Sequence, residues 1–411
     1  TGAMATPDSS PAGVSANRYN VMNDRVITAV VTAREAGISS PRVLFKVPDH
    51  ERSALVSVPL STLELAQKQG KDVTFGVQYG DHTFEIPLSS LNFSALSKMA
   101  GGSMSMNQLL LAVDTGSSSK TSALTTAINN SSAQVVAGPM HYEVMVMNGM
   151  TKQAVSDYKG YLTRSIKLNG TVSTSQTSAV WYDPVTGTLS YVPTTFATVN
   201  GVTRATFKRK GNSAYAIVRN TFSFSDLGSH WATSAVNSMA RKFIVDGKTS
   251  TTFAPNQPIT RGEFAAYIAK GLGLAGDRIA AAKFKDVNVN TVMGAYIGAA
   301  AGNDIIAGTT PTTFSPNSYI TRQDMAIIML RAAKEAGMTI SMPNSADSYL
   351  APYKDKNKIS AYAKNAMAQA VYAGFINGQS PTSLNPTGNA TRAEATVMIM
   401  RLLQKADLLT S

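Results

Sequence analysis

Two hydrophobic rhythms divide this chain. Up to about Asn220, short apolar runs of strand length are separated by turn residues; beyond it, alanine-rich stretches carry apolar residues at helical spacing. In the first region, 43–47 and 54–58 read as strands, and 61–69 as a short helix that Ser61 or Thr62 would cap. Residues 73–77 and 82–86 read as a hairpin turning at Gly80-Asp81, after which Pro87 leads into another helix. A strand running through proline into a helix start thus occurs twice, at 58–63 and 86–91. Residues 109–113 read as a buried strand, 118–129 as a polar helix and 141–146 as an alternating strand. Strand signals at 161–168, 179–182, 189–192, 204–208 and 215–218, with a turn at 183–187, predict an antiparallel sheet or sandwich. Residues 1–16, rich in Ser, Pro, Ala and Gly, read as a disordered lead-in. Their first five resemble a tag-cleavage remnant, so the natural N-terminus is expected to be missing.

Composition sharpens this picture. A chain of 411 residues with 44% hydrophobic content can bury two or three substantial cores. It has no apolar run near the roughly 18 residues a membrane-spanning helix needs, so membrane insertion is not expected. It has no cysteine, a weak sign of export. The net charge is +12, shared between the two halves without a basic block. That argues for an anionic partner, and for a surface polymer rather than nucleic acid. The four histidines (His50, His82, His141, His230) show no metal-ligand spacing, and no phosphate loop, dinucleotide fingerprint or nucleophile elbow is present. No cofactor or metal is expected. Scattered carboxylates leave a glycosidase pair open in the first region.

The second region aligns with itself three times. Each copy opens on an aromatic-x-Asp (Phe224-Ser225-Asp226, Phe284-Lys285-Asp286, Tyr353-Lys354-Asp355) and continues into an alanine-rich helix. A loop follows with a glycine (Gly247, Gly308, Gly378), then Phe253-Ala254-Pro255, Phe314-Ser315-Pro316 or Leu384-Asn385-Pro386. Fourteen residues after each glycine comes an arginine that begins a second helix: Thr260-Arg261-Gly262-Glu263, Thr321-Arg322-Gln323-Asp324 and Thr391-Arg392-Ala393-Glu394. Thr followed three residues later by an acid is a capping box. Asp324, one methylene shorter, should make the poorer reciprocal bond. First-turn amides left free at the positive end of the helix, with the arginine beside them, would suit a carboxylate or phosphate. The preceding glycine would permit positive φ and a close ligand. The structural alternative for each arginine is to pair with Asp226, Asp286 or Asp355.

With these motifs in hand, residues 222–411 resemble three tandem S-layer homology (SLH) domains of Gram-positive surface proteins, at 222–282, 283–350 and 351–411. Residues 17–221 then form a β-rich α+β region of one or two domains, with a break near 138 left open. The resemblance implies an all-α pseudo-threefold unit with a central three-helix bundle and three prongs. It implies non-enzymatic anchoring, outside the cell, to an anionic secondary cell wall polysaccharide, with pyruvylated N-acetylmannosamine held in grooves between repeats. By position, the first groove would use Arg261, Lys270, Gly308 and Phe314, and the second Arg322, Arg331, Gly378 and Leu384. The third would use Arg392, Arg401, Gly247 and Phe253. Leu384 would lack the aromatic face that Phe253 and Phe314 offer a sugar ring. A glycan-active enzyme, or a lattice or adhesion module that self-assembles, is the alternative reading of the N-terminal region.

Overall fold

The computed structural model describes residues 2–70 and 72–410, which form two compact units. The first comprises Thr1–Val172, Ala179–Tyr182 and Phe196–Val218; the second comprises Ser173–Ser178, Asp183–Thr195 and Arg219–Ser411.

In the first unit, strands Ala3–Ser9, Ser15–Val21, Ala54–Pro59, Asn107–Thr115, Gln134–Asn148 and Ser213–Arg219 lie side by side in that order. Among the first five of these strands the pairing is antiparallel except between Ser15–Val21 and Ala54–Pro59, where Tyr19 lies opposite Val56 in parallel. A second sheet runs Val202–Arg209, Leu162–Leu168, His82–Pro87, Thr74–Tyr79 and Arg42–Lys46. Leu109, Leu110, Leu111, Ala112 and Val113 are all buried; helix Leu60–Lys68 packs on this strand, and Leu110 and Ala112 join Leu55, Met145 and Met147 in a buried cluster. The sheets meet through an aromatic cluster: Tyr142 and Tyr215 from the first face Phe84 and Phe207 from the second, with ring centroids 5.3–6.1 Å apart. The buried Arg164 guanidinium lies 4.9 Å from the Phe84 ring and 4.8 Å from that of Tyr215, and donates to the carbonyls of Leu162 and Arg209. Trp181 is buried beneath Arg209.

Several sequence expectations change here. The expected disordered lead-in over 1–16 is not found in its described residues, 2–16; Ala3–Ser9 pairs with Ser15–Val21, its backbone satisfied by a neighbour that composition does not reveal. The helix at Leu60–Lys68 starts directly from Pro59, with no side-chain cap from Ser61 or Thr62. Pro87 leads into a single 3₁₀ turn, Leu88–Ser90, and the helix proper, Phe93–Ala100, is capped by Asn92. The helix Asn23–Glu35, with a weak apolar stripe, was not foreseen.

The second unit is rich in helices. Each repeat has a leading helix (Thr233–Arg241, Val292–Gly302, Lys364–Tyr372) and a signature helix beginning at its arginine (Arg261–Gly271, Arg322–Glu335, Arg392–Lys405). The last signature helix packs on the other two. This unit is not helical throughout, because it also takes in the β-hairpin segment Asp183–Thr195. Asp183 is fully buried, and its carboxylate accepts from the amides of Val185 and Gly276 and from the Tyr296 hydroxyl. Arg278 donates to the Val185 carbonyl at 2.8 Å, and the Tyr191 hydroxyl donates to that of Leu408 at 2.7 Å. The hairpin is thus bonded to the segment after the first signature helix, to the second leading helix and to the C-terminal end. Asp183→Ala strands two buried donors, and should lower the stability of this unit by about 2–4 kcal/mol. Urea denaturation followed by Trp231 fluorescence checks this; an unchanged midpoint would show the hairpin to be a passive passenger.

Candidate functional site

The three threonine–arginine motifs sit where the repeats meet. Thr260, Thr321 and Thr391 each accept, through the side chain, the amide three residues on. Glu263 and Glu394 return the bond to the cap amides at 3.0 and 2.8 Å, completing two capping boxes. Asp324 makes no such bond. Its Oδ2 takes the Thr321 hydroxyl at 2.6 Å and its Oδ1 the Tyr362 hydroxyl at 2.8 Å.

The first-turn amides are not free. Those of Arg261 and Gly262 donate to the carbonyls of Ser318 and Pro316 in the second repeat. Those of Arg322 and Gln323 donate to Gly388 and Pro386 in the third, and those of Arg392 and Ala393 to Gln257 and Pro255 in the first. The positive helix end is satisfied by carbonyls of the next repeat's loop, so no anion is needed there. The guanidinium groups repeat the connection. Arg261 donates to Phe314 and Ala307 (3.1 and 2.9 Å), Arg322 to Leu384 and Asn377 (2.7 and 2.6 Å), and Arg392 to Phe253 and Asp246 (2.8 Å each). The connections run from first repeat to second, second to third, and third back to first.

The loops that accept these bonds are shaped from within. Asp226, Asp286 and Asp355 do not pair with the arginines; each carboxylate accepts two successive loop amides, Phe253 and Ala254, Phe314 and Ser315, Leu384 and Asn385. This grip holds Ala254, Ser315 and Asn385 at φ of 50–58°. Gly247, Gly308 and Gly378 do not have positive φ. They are glycines because a Cβ would lie 2.2–2.4 Å from a carbonyl oxygen of their own loop and within 3 Å of the aromatic that opens the repeat. Phe253, Phe314 and Leu384 are fully buried, so they offer no open face to a sugar. The Arg261 guanidinium lies 5.2 Å from the Phe314 ring, and that of Arg392 4.5 Å from the Phe253 ring.

The grouping of cations also differs from expectation. Nine residues along a helix amount to two and a half turns, so Arg261 and Lys270 point to opposite sides of their helix and cannot share a groove. Each later cation instead faces the glycine loop of its own repeat. Arg331 lines a cavity of about 910 Å³ with Ala307, Gly308, Lys283 and Lys334. Arg401 lines one of about 550 Å³ with Arg322, Gly378, Glu394 and Trp231. Lys270 pairs with Asp246, which precedes Gly247, at 3.6 Å. The second groove therefore joins Arg322 and Arg401 at Gly378, the third brings Arg392 and Lys270 to Asp246, and in the first Arg261 bonds Ala307 at the border of the cavity that Arg331 lines.

The grooves are not equivalent. In the third, Arg392 is 1% exposed and its Nη1 lies 2.9 Å from Glu263, while Asp246 neutralises Lys270. In the second, Arg322 is also 1% exposed, with Glu394 at 3.4 Å. In the first, Arg261 is partly exposed and, among the described residues, has no carboxylate within ion-pair distance. Burial lowers its pKa, and Asp324 acts in the opposite direction. Sequence reasoning missed Asp246, Lys283, Lys334 and the Tyr362 bond to Asp324; of these only the shorter acid at 324 carried a signal.

Burial pushes the pKa of Asp226, Asp286 and Asp355 up, but the loop amides outweigh it and hold each carboxyl below its ordinary range. A depressed folded pKa contributes stability above the unfolded value, about 3.9, and loses it as pH falls through the folded value. The second unit should therefore lose stability progressively below about pH 4. Asp286→Asn should flatten that dependence, and urea midpoints across pH 2–7 would measure it. Unchanged acid sensitivity in the variant would remove these carboxylates from the account.

Comparison with known proteins agrees with this geometry. Residues 223–265, 283–326 and 352–396 match the S-layer homology domain family. The chain is 32% identical over 226 residues to an amylopullulanase of Thermoanaerobacterium thermosulfurigenes, covering 55% of this chain and 12% of that protein. It is 28% identical over 182 residues to the surface-layer 125 kDa protein of Lysinibacillus sphaericus (44% and 14%), and 27% identical over 180 residues to an S-layer protein of Bacillus thuringiensis subsp. finitimus (44% and 21%). It spans at most about a fifth of the length of these three relatives. No helix among the described residues is long and apolar enough to cross a membrane. The chain carries three tandem S-layer homology domains in its second unit, and these indicate a location at the cell wall or cell surface.

Proposed function

We propose that the second unit binds an anionic secondary cell wall polysaccharide, and that the groove at Arg261 is its principal site. The observation that carries this is the Arg261 guanidinium, the one signature arginine both partly exposed and without a carboxylate partner among the described residues. Beside it, Ala307 and Gly308 border a cavity of about 910 Å³ that presents Arg331, Lys283 and Lys334 alongside the acids Asp304 and Glu335. A pyruvyl ketal on N-acetylmannosamine supplies what this lining asks for. Its carboxylate would take the forked guanidinium, and the sugar hydroxyls and acetamide would meet the loop's polar groups, including Thr309 and Thr310. The groove at Arg322 and Arg401 is a second, weaker site in this reading. The groove at Arg392 is closed, because Glu263 and Asp246 already occupy its cations. The pseudo-threefold bundle implied by the repeats fits the cyclic bonding of the three motifs.

The first unit is read as non-catalytic. Several of its less exposed carboxylates are engaged by its own groups: Asp8 by Arg18 and Lys152, Glu51 by Asn17 and Tyr19, and Asp114 by Ser53. None of these is left as the unengaged half of a facing acid pair.

In the full chain, Arg261→Ala should weaken binding to purified pyruvylated wall polysaccharide about tenfold or more, measured by calorimetry. Removing the pyruvyl groups, or raising the salt, should weaken wild-type binding in the same direction. Wild-type affinity in the variant would overturn the assignment of this groove.

A further inference from the structure

We infer that Asp324 is the specificity-determining residue that keeps the first groove open, by being too short and too firmly tethered to neutralise Arg261. This rests on the reading of that groove as the anion site. At the corresponding position the other repeats carry Glu263 and Glu394, and each reaches the arginine of the preceding repeat: Glu263 to Arg392 at 2.9 Å, Glu394 to Arg322 at 3.4 Å. By the same cyclic order Asp324 is the acid that would meet Arg261. It does not. Both its oxygens are drawn away, Oδ2 to the Thr321 hydroxyl at 2.6 Å and Oδ1 to the Tyr362 hydroxyl at 2.8 Å.

Tyr362 is itself held on this side. Its hydroxyl also receives the Gln323 amide at 3.2 Å, and Gln323 bonds Ser360 through both the side-chain hydroxyl and the backbone amide. Asp324, Tyr362, Gln323 and Ser360 form one hydrogen-bonded cluster that turns the carboxylate from the groove. The guanidinium keeps its two carbonyl bonds and presents its remaining donors outward. A glutamate in this position would reach about 1.5 Å further and could close on Arg261 as Glu263 closes on Arg392. The ligand would then have to displace an internal carboxylate before its own could bind. The chemical class selected is a ligand bearing a carboxylate, because the feature held open is a carboxylate's place on an arginine fork.

The test is Asp324→Glu in the full chain, titrated with purified pyruvylated wall polysaccharide. We expect affinity to fall five- to tenfold with the thermal midpoint maintained or raised, and Asp324→Asn to bind at least as tightly as wild type. In an Arg261→Ala background, Asp324→Glu should have no further effect, a coupling that a merely structural role would not produce. If Asp324→Glu binds like wild type while Arg261→Ala still loses affinity, the inference fails and the groove assignment stands. If Arg261→Ala also binds like wild type, both fail.

Discussion

The second unit depends on one recurring interaction: a helix start that donates its first amides, and then its arginine, to the carbonyls of the next repeat's loop. A helix N-terminus must satisfy its unpaired N–H groups somewhere. Within a repeat, the capping threonine takes only one. The next two go to carbonyls of a neighbouring loop that Asp226, Asp286 or Asp355 has already fixed in shape. The aspartate sets the loop, the loop aims its carbonyls, and the neighbour's helix and arginine lock onto them. Because the third repeat returns to the first, the repeats are not a linear array in which each contacts only its sequence neighbours. Chain closure makes the loop residues of the first repeat partners of a helix that begins well over a hundred residues later.

Once the arginine is used in this way, its availability to a ligand depends on what else reaches it. Three equivalent arginines show three degrees of compensation: a close glutamate at Arg392, a more distant one at Arg322 and, among the described residues, none within ion-pair distance at Arg261. At Arg261 a half-buried guanidinium donates to two carbonyls and, among the described residues, meets no carboxylate at ion-pair distance, so it is the signature arginine with charge still to be matched. In the proposed function, structure and binding are two uses of one residue, and the acid three places into the following repeat's signature helix sets the balance between them.

Much of this was written plainly in the sequence. The repeat boundaries, the capping threonines, the glycine at constant spacing and the shorter reach of Asp324 all follow from local chemistry that needs no knowledge of the fold, although Asp324 makes no reciprocal bond rather than a poorer one. What failed was directional. The amides looked free because their acceptors lie in another repeat, and spacing within one motif carries no trace of them. Phe314 looked like a sugar platform, but a phenylalanine shows the same letter whether it faces solvent or, as here, sits fully buried under a guanidinium. Lys270 was grouped with Arg261 by position alone, although helical geometry already places them on opposite faces. The hairpin at Asp183–Thr195 read as part of the preceding β region because strand patterning reports local conformation. Its attachment to Gly276 and Tyr296 comes from one buried carboxylate with no special sequence context.

The central claim is that these three connections close a ring. Arg392 tests it most directly, since its partners Phe253 and Asp246 lie in the first repeat. Native-state hydrogen exchange on Arg392→Ala should show increased exchange at both ends of the missing connection: at the start of its own helix and across 246–257 in the first repeat. The whole unit should be destabilised by roughly 3–5 kcal/mol, as expected when a buried charged partner is removed. Exchange that rises only around residue 392, with the first-repeat loop as protected as in the wild type, would contradict the ring.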